Sequence, residues 1–250
     1  MCRYICLIFL LVVVSCQNHQ SESPDKIAQT GANSVVAAEM AKNNKASATP
    51  ELLDFFSDDS RIGKPRKNKI EISHFKILDG DMVEIKFYSL AKNNDWNLEQ
   101  KFGFEKFGSL SIETKLEDFD NDGFKDVTYV SNIAARGANE VRKLLIYDEK
   151  KDELIHIKNS EDYPNLQYNK KLNCIDAWLF HGGTTTVFLK IDGDSLKEFA
   201  SVGSSGNERT ISVIDKNGKE KVLRTDKIEE DEIYERYENF NPPEPYRDNQ

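Results

Sequence analysis

The chain has 250 residues, 38% of them hydrophobic and 31% charged, with 34 Lys and Arg against 43 Asp and Glu for a net charge of -9. This is the composition of a folded protein, and it excludes a disordered or collagen-like one. The acidic balance, with no basic stripe beyond Lys64, Arg66, Lys67 and Lys69, also argues against nucleic acid as a partner, because neutralising phosphates requires clustered Lys and Arg. That short basic cluster reads as a solvated connector.

The first element is an address. Met1-Cys2-Arg3 supplies one positive charge, and Tyr4 to Val14 then runs eleven residues without a polar break, which is the layout of a signal peptide over residues 1–15. The run is shorter than the roughly 20 apolar residues that a membrane-spanning helix needs. Its end, Val13-Val14-Ser15-Cys16, resembles the bacterial lipobox. The resemblance implies that Cys16 is diacylated and becomes the first residue of the mature chain; an ordinary cleaved signal with an incidental cysteine is the alternative. Each buried CH₂ contributes about 0.8 kcal/mol and stable anchoring takes more than one acyl chain. A lipidated Cys16 therefore implies a lipid membrane of the bacterial cell envelope as partner, with the outer membrane expected and the choice of periplasmic or external face open.

With Cys2 and Cys6 in the signal and Cys16 acylated, Cys174 is left alone and no intrachain disulfide is expected. Cys174 lies in an apolar context, Leu172-Asn173-Cys174-Ile175, and reads as a small buried hydrophobe.

Residues 16–50 are rich in Ser, Asn, Gln, Ala and Lys and nearly free of aromatics, so they are expected to form a lipidated, disordered tether. Pro50 followed by Glu51 fits the first turn of a helix, and a short N-terminal helix is expected over Glu51 to Phe56. Alternating patterns then predict strands over Lys69 to Leu78, Met82 to Tyr88 and Trp96 to Phe104. Further strands are expected at Val127 to Ile133, Val141 to Tyr147, Glu153 to Ile157, Ile175 to Phe180, Thr185 to Ile191 and Ile211 to Ile214. Asp79-Gly80, Asp192-Gly193 and Asn217-Gly218 mark three hairpins. Gly203-Ser204-Ser205-Gly206 reads as a flexible loop.

The expected fold is all-β, an irregular propeller-like or multi-sheet antiparallel domain over residues 51–234. An acidic Pro/Tyr tail follows over 235–250. The stretch around Ile233, Tyr234 and Tyr237 could form a helix before Pro242, Pro243 and Pro245 forbid its continuation. Docking of this tail and partner binding by it both stay open.

Asp118-Phe119-Asp120-Asn121-Asp122-Gly123-Phe124-Lys125-Asp126 places carboxylates at relative positions 1, 3, 5 and 9 and glycine at 6. A hard cation asks for such a set: Ca²⁺ takes six to eight oxygens, alternate residues of a tight loop point inward, and glycine permits the turn. The expected ligands are Asp118, Asp120, Asp122, the Phe124 carbonyl and Asp126. A metal-free Asp/Asn/Gly turn is the alternative. An EF-hand would need a bidentate Glu where Tyr129 stands, and a strand pattern follows instead of a helix. The loop resembles the shorter calcium loops between strands of FG-GAP and integrin-like propeller repeats.

A wider resemblance rests on that loop, on Ala135-Arg136-Gly137-Ala138-Asn139-Glu140, on Leu144-Leu145-Ile146-Tyr147-Asp148, on Asn165-Leu166, and on His181-Gly182-Gly183-Thr184 leading through Phe188-Leu189 to Asp192-Gly193-Asp194. The pattern resembles bacterial lipoproteins related to periplasmic lysozyme inhibitors and to immunity proteins against peptidoglycan-degrading type IV secretion effectors. The family inserts a Ser-Gly-x-x-Tyr-type loop into the lysozyme cleft. The matching place here keeps Gly137 but lacks both Ser and Tyr. The resemblance implies a binding loop at Arg136, Gly137, Asn139 and Glu140, with a lysozyme-like hydrolase or another envelope protein as partner. A surface module that binds carbohydrate, through Trp96 or Trp178, or that assembles with envelope proteins is the alternative. No enzyme is expected, since the four histidines lack zinc spacing and no Gly-x-Ser-x-Gly elbow is present.

Overall fold

The computed structural model describes residues 49–107 and 110–247. The expected signal peptide, Cys16 and nearly all of the tether lie outside the described residues. A first antiparallel meander comprises β1 (Glu51–Asp58), β2 (Asn68–Ile77), β3 (Gly80–Leu90) and β4 (Trp96–Lys106). A second comprises β5 (Lys115–Glu117), β6 (Asp126–Ala134), β7 (Asn139–Asp148) and β8 (Glu153–Ile157). A six-stranded sheet follows, β9 (Gln167–Asn169), β10 (Cys174–Phe180), β11 (Thr184–Asp192), β12 (Ser195–Ser205), β13 (Glu208–Ile214) and β14 (Glu220–Lys227). The hairpin β15 (Tyr237–Phe240) and β16 (Pro243–Pro245) closes the described chain. The fold is all-β and multi-sheet, and each strand pairs antiparallel with its chain neighbours in the sheet.

Burial explains why the strands differ in pattern. The β5–β8 sheet is covered on both faces: Val127, Tyr129, Leu145 and Tyr147 pack with Ile70, Ile72, Val83, Ile85 and Phe87 of the first sheet. Leu144, Ile146 and Ile157 pack with Ile175, Ala177, Val187 and Leu189 of the six-stranded sheet. A strand buried on both faces reads as a continuous apolar run, as Leu144 to Tyr147 does, whereas β2 with one core face alternates. The Asp-Gly and Asn-Gly turns connect β2 to β3, β11 to β12 and β13 to β14.

Three expectations are corrected. Glu51 to Phe56 is not a short helix but strand β1, paired to β2 from Glu51↔Lys76 to Asp58↔Ile70. Pro50 and Glu51 give a local helix signal, but pairing with the neighbouring strand overrides it, and the Asp54 carboxylate accepts from Ile112 N at 3.1 Å and Ser111 Oγ at 2.8 Å instead of capping a helix. Gly203 to Ser205 is the end of β12, and Gly183 is required beside it because a Cβ there would meet the Ser204 carbonyl oxygen at 2.1 Å. The helix around Ile233 is a single 3-10 turn, Glu230–Tyr234, opened by a capping box between Glu229 and Glu232. The chain then extends, leaving Tyr234 exposed and burying Tyr237 with Phe188, Ala200 and Val202.

Candidate metal centre and binding loop

The acidic loop joins β5 to β6 and is pinned on both sides of the central sheet. Phe119 inserts into the core shared with the six-stranded sheet, while Phe124 packs edge-on to Tyr147 with ring centroids 5.5 Å apart on the opposite face. Between them Asn121 (φ 62°) and Gly123 (φ 94°) take left-handed backbone, which Asn and Gly tolerate best. The loop curls around Asp118, whose oxygens accept from Asp122 N at 3.2 Å and Gly123 N at 3.0 Å.

Asp118, Asp120 and Asp126 each bring a carboxylate oxygen to within 4.8 Å of the other two. Two oxygens on opposite sides of a calcium ion, each about 2.4 Å from it, would be about 4.8 Å apart, so one cation can reach all three. Asp122 does not join this group; its Oδ1 accepts from Phe124 N at 2.8 Å. Asp126 is completely buried and fixed by Phe119 N at 2.7 Å and Tyr147 N at 2.8 Å. Burial, then the neighbouring Asp120 and Asp122 charges, push its carboxyl up to about 8 against those two bonds. Asp120 is pushed up to about 6 by burial and by Asp122 and Asp118. An all-oxygen set that includes two carboxyls whose charged forms are disfavoured, Asp120 and Asp126, fits a divalent cation, which removes the repulsion and compensates the lost hydration.

Eight residues beyond the loop, β6 ends in the hairpin that carries the expected binding residues. The structure divides them. Arg136 and Gly137 sit exposed at the tip, where Ala135 (φ 47°), Arg136 (φ 56°) and Gly137 (φ 103°) are all left-handed. Asn139 and Glu140 belong to the base. Asn139 donates to the Phe180 carbonyl at 3.1 Å and accepts from Phe180 N at 2.9 Å, and Glu140 N donates to Asn165 Oδ1 at 3.1 Å. The Glu140 carboxylate pairs with Arg142 at 2.5 Å and Lys115 at 3.7 Å.

The other singled-out residues are structural. Cys174 is free and buried, and burial raises its thiol to about 12, far from a reactive thiolate. Trp178 is half-buried, tilted against Phe180 with ring centroids 4.4 Å apart, and its Nε1 is buried. Sequence reasoning missed Arg142 and the pair Asp176 and Arg236. For Arg142 a signal existed, a charge inside the apolar run of a strand buried on both faces.

An all-β domain with a carboxylate-lined loop at one end of β6 and an exposed hairpin at the other is therefore the class that fold and site define. No protein-family model and no curated protein matches the chain. Among solved structures it is similar to a Xanthomonas type IV secretion system related protein, with 11% identity, 72% of this chain and 97% of that chain covered, and a TM-score of 0.44. A likeness this distant carries no argument about activity.

Proposed function

We propose that the protein is a lipid-anchored binding module of the bacterial envelope, in which a calcium-stabilised loop holds the β6–β7 hairpin as the element that engages a partner protein. The observation that carries this reading is the hairpin itself, an exposed tip with three successive left-handed residues on a base fixed by side-chain bonds to two other segments. Such backbone costs on the order of 1–3 kcal/mol per non-glycine residue and persists where function uses it. The tip displays Ile133, 40% exposed, and Arg136, an aliphatic and arginine pair suited to anchoring in a partner's pocket. A rigid base lowers the ordering cost of binding. A lysozyme-like cell-wall hydrolase is the partner class proposed, and the chain acts by binding and not by catalysis.

The test is a pull-down from envelope extract with and without Ca²⁺, together with an inhibition assay on the captured hydrolase. Arg136→Glu should weaken capture at least about tenfold, as loss of an interface hot spot does, with an unchanged melting temperature because Arg136 is exposed. Capture that is indifferent to this change, or capture of glycan alone, would shift the reading to a carbohydrate-binding module. The anchor has its own test: Cys16→Ala should move the protein from the detergent phase to the aqueous phase, and a variant still wholly in detergent would rule out the lipid.

A further inference from the structure

We infer that one end of the first sheet is a lipid-facing surface, a second contact with the bilayer beyond the acylated Cys16; the inference rests on the lipid anchor proposed above. The strand register gathers that end. Glu51 opposes Lys76 where β1 begins, Ile77 opposes Gly80 across the β2–β3 turn, and Asp81 opposes Lys106 where β4 finishes. Leu110 lies nearby, two residues before Ile112, whose N–H donates to Asp54 of β1 at 3.1 Å. Leu52, Leu53, Phe55, Leu78, Phe107 and Leu110 are all exposed there, six of the eleven large hydrophobics so exposed among the described residues. Leu78 and Phe107 are the most open of them, at 72% and 70%. The opposite end of the same sheet is polar, with Arg66, Lys67, Lys92 and Asn93 exposed and Leu98 as its single exposed large hydrophobic among the described residues. Apolar side chains gathered in this way mark an interaction surface, whereas scattered ones are ordinary.

What covers this end follows from where the rest of the chain attaches. The 48 residues ahead of Thr49 enter the fold here, through Pro50 into β1. Thirty-two residues separate Thr49 from Cys16, and a coil of that length, which their composition predicts, spans about 30 Å. An acylated Cys16 therefore keeps the apolar end within about 30 Å of lipid, at an effective concentration on the order of millimolar, so that even weak partition of a few side chains is well populated. Exposed Leu and Phe side chains bury at the boundary between headgroups and acyl chains. The exposed acids Glu51, Asp79 and Glu105 stand around the same end, with Lys76 as the exposed cation. That balance selects a neutral bilayer over an anionic one.

The experiment reconstitutes the lipidated protein into neutral vesicles of phosphatidylcholine and phosphatidylethanolamine, with the fluorophore NBD on Leu78→Cys or, as the control from the polar end, on Lys92→Cys. Cys174 is buried and so escapes the label. Flotation with the vesicles reports the anchor, and quenching by lipid that carries a nitroxide on its acyl chain reports docking. Quenching at position 78 should exceed that at position 92 by at least about threefold. Adding Phe107→Ser to the Leu78→Cys chain, a change at an exposed position that spares the fold, should cut the quenching roughly by half. Replacing part of the lipid with anionic phosphatidylglycerol should lower it as well. Equal quenching at 78 and 92 in protein that floats overturns the docking and leaves the anchor standing. A probe at 78 that is blue-shifted but unquenched also overturns it, and assigns the patch to a second copy or to the chain's own N-terminal segment. Protein that does not float overturns the anchor and the docking with it.

Discussion

Calcium added to the metal-free protein should raise its melting temperature by about 5–10 °C. The figure follows from linkage: a ligand bound only by the native state at 100 times its dissociation constant adds about 2.7 kcal/mol, and 1 kcal/mol moves a domain of this size by about 2–4 °C. Asp120→Ala should remove most of the response, because Asp120 is one of the three carboxylates that converge. Magnesium should do less, since it holds its waters and demands a tighter and more regular octahedron than calcium does.

The pH dependence gives the same site a second signature. Asp126 has its folded pKa raised to about 8, above the unfolded value near 3.8, so between those values the native state holds a proton that the unfolded chain has lost. Stability of the calcium-free protein should therefore fall as pH rises through this window. His156 runs the other way: burial lowers it to about 4 from 6.5, so its contribution is complete above 6.5 and lost as pH falls. The interval from pH 6.5 to 8 thus isolates Asp126, and a decline on the order of 1 kcal/mol is expected there. Saturating calcium should abolish the decline by displacing the proton. A calcium-free stability that is flat from pH 6.5 to 8, with no calcium response, would mean that the loop is only an Asp/Gly turn.

The parts of this molecule that were legible in the sequence are those whose physics is local or periodic. Ile70 and Ile72 alternate because β2 has one core face, Asp192-Gly193 and Asn217-Gly218 turn because their backbones must, and the acidic loop shows itself by spacing. Even there Asp126 was only half visible: its ligand spacing could be read, whereas its bond to Tyr147 N, 21 residues on, could not. β1 escaped because it is an edge strand, largely exposed, that depends on a neighbour's hydrogen-bonding row more than on its own pattern, and β14, the exposed edge of the six-stranded sheet, showed only as the second arm of the Asn217-Gly218 hairpin. The division of the hairpin residues into an exposed tip and a structural base was also illegible, for it depends on Phe180 and Asn165 arriving from elsewhere in the chain.

A long-range ion pair is the feature whose removal should cost most. Asp176, on β10, is completely buried, and Arg236, sixty residues later, pairs with it through Nε at 2.7 Å and through Nη2. Asn169 and Tyr246 donate to the same carboxylate, so the segment running into and out of the C-terminal hairpin is latched to the six-stranded sheet. Arg236→Ala would leave a buried carboxylate without its cation, a loss of about 3–5 kcal/mol, and should lower the melting temperature on the order of 10 °C. The decisive measurement is a double-mutant cycle. If the cost arises from the stranded charge, Asp176→Asn combined with Arg236→Ala should be more stable than Arg236→Ala alone, because the amide keeps an acceptor for Tyr246 while shedding the charge. If the cost arises instead from lost packing of the hairpin, around Tyr237 and Phe240 in the third core, the double variant will be no better than the single one. Tyr237→Ala will then be the more damaging change, by the roughly 3–5 kcal/mol typical of a large aromatic removed from a core.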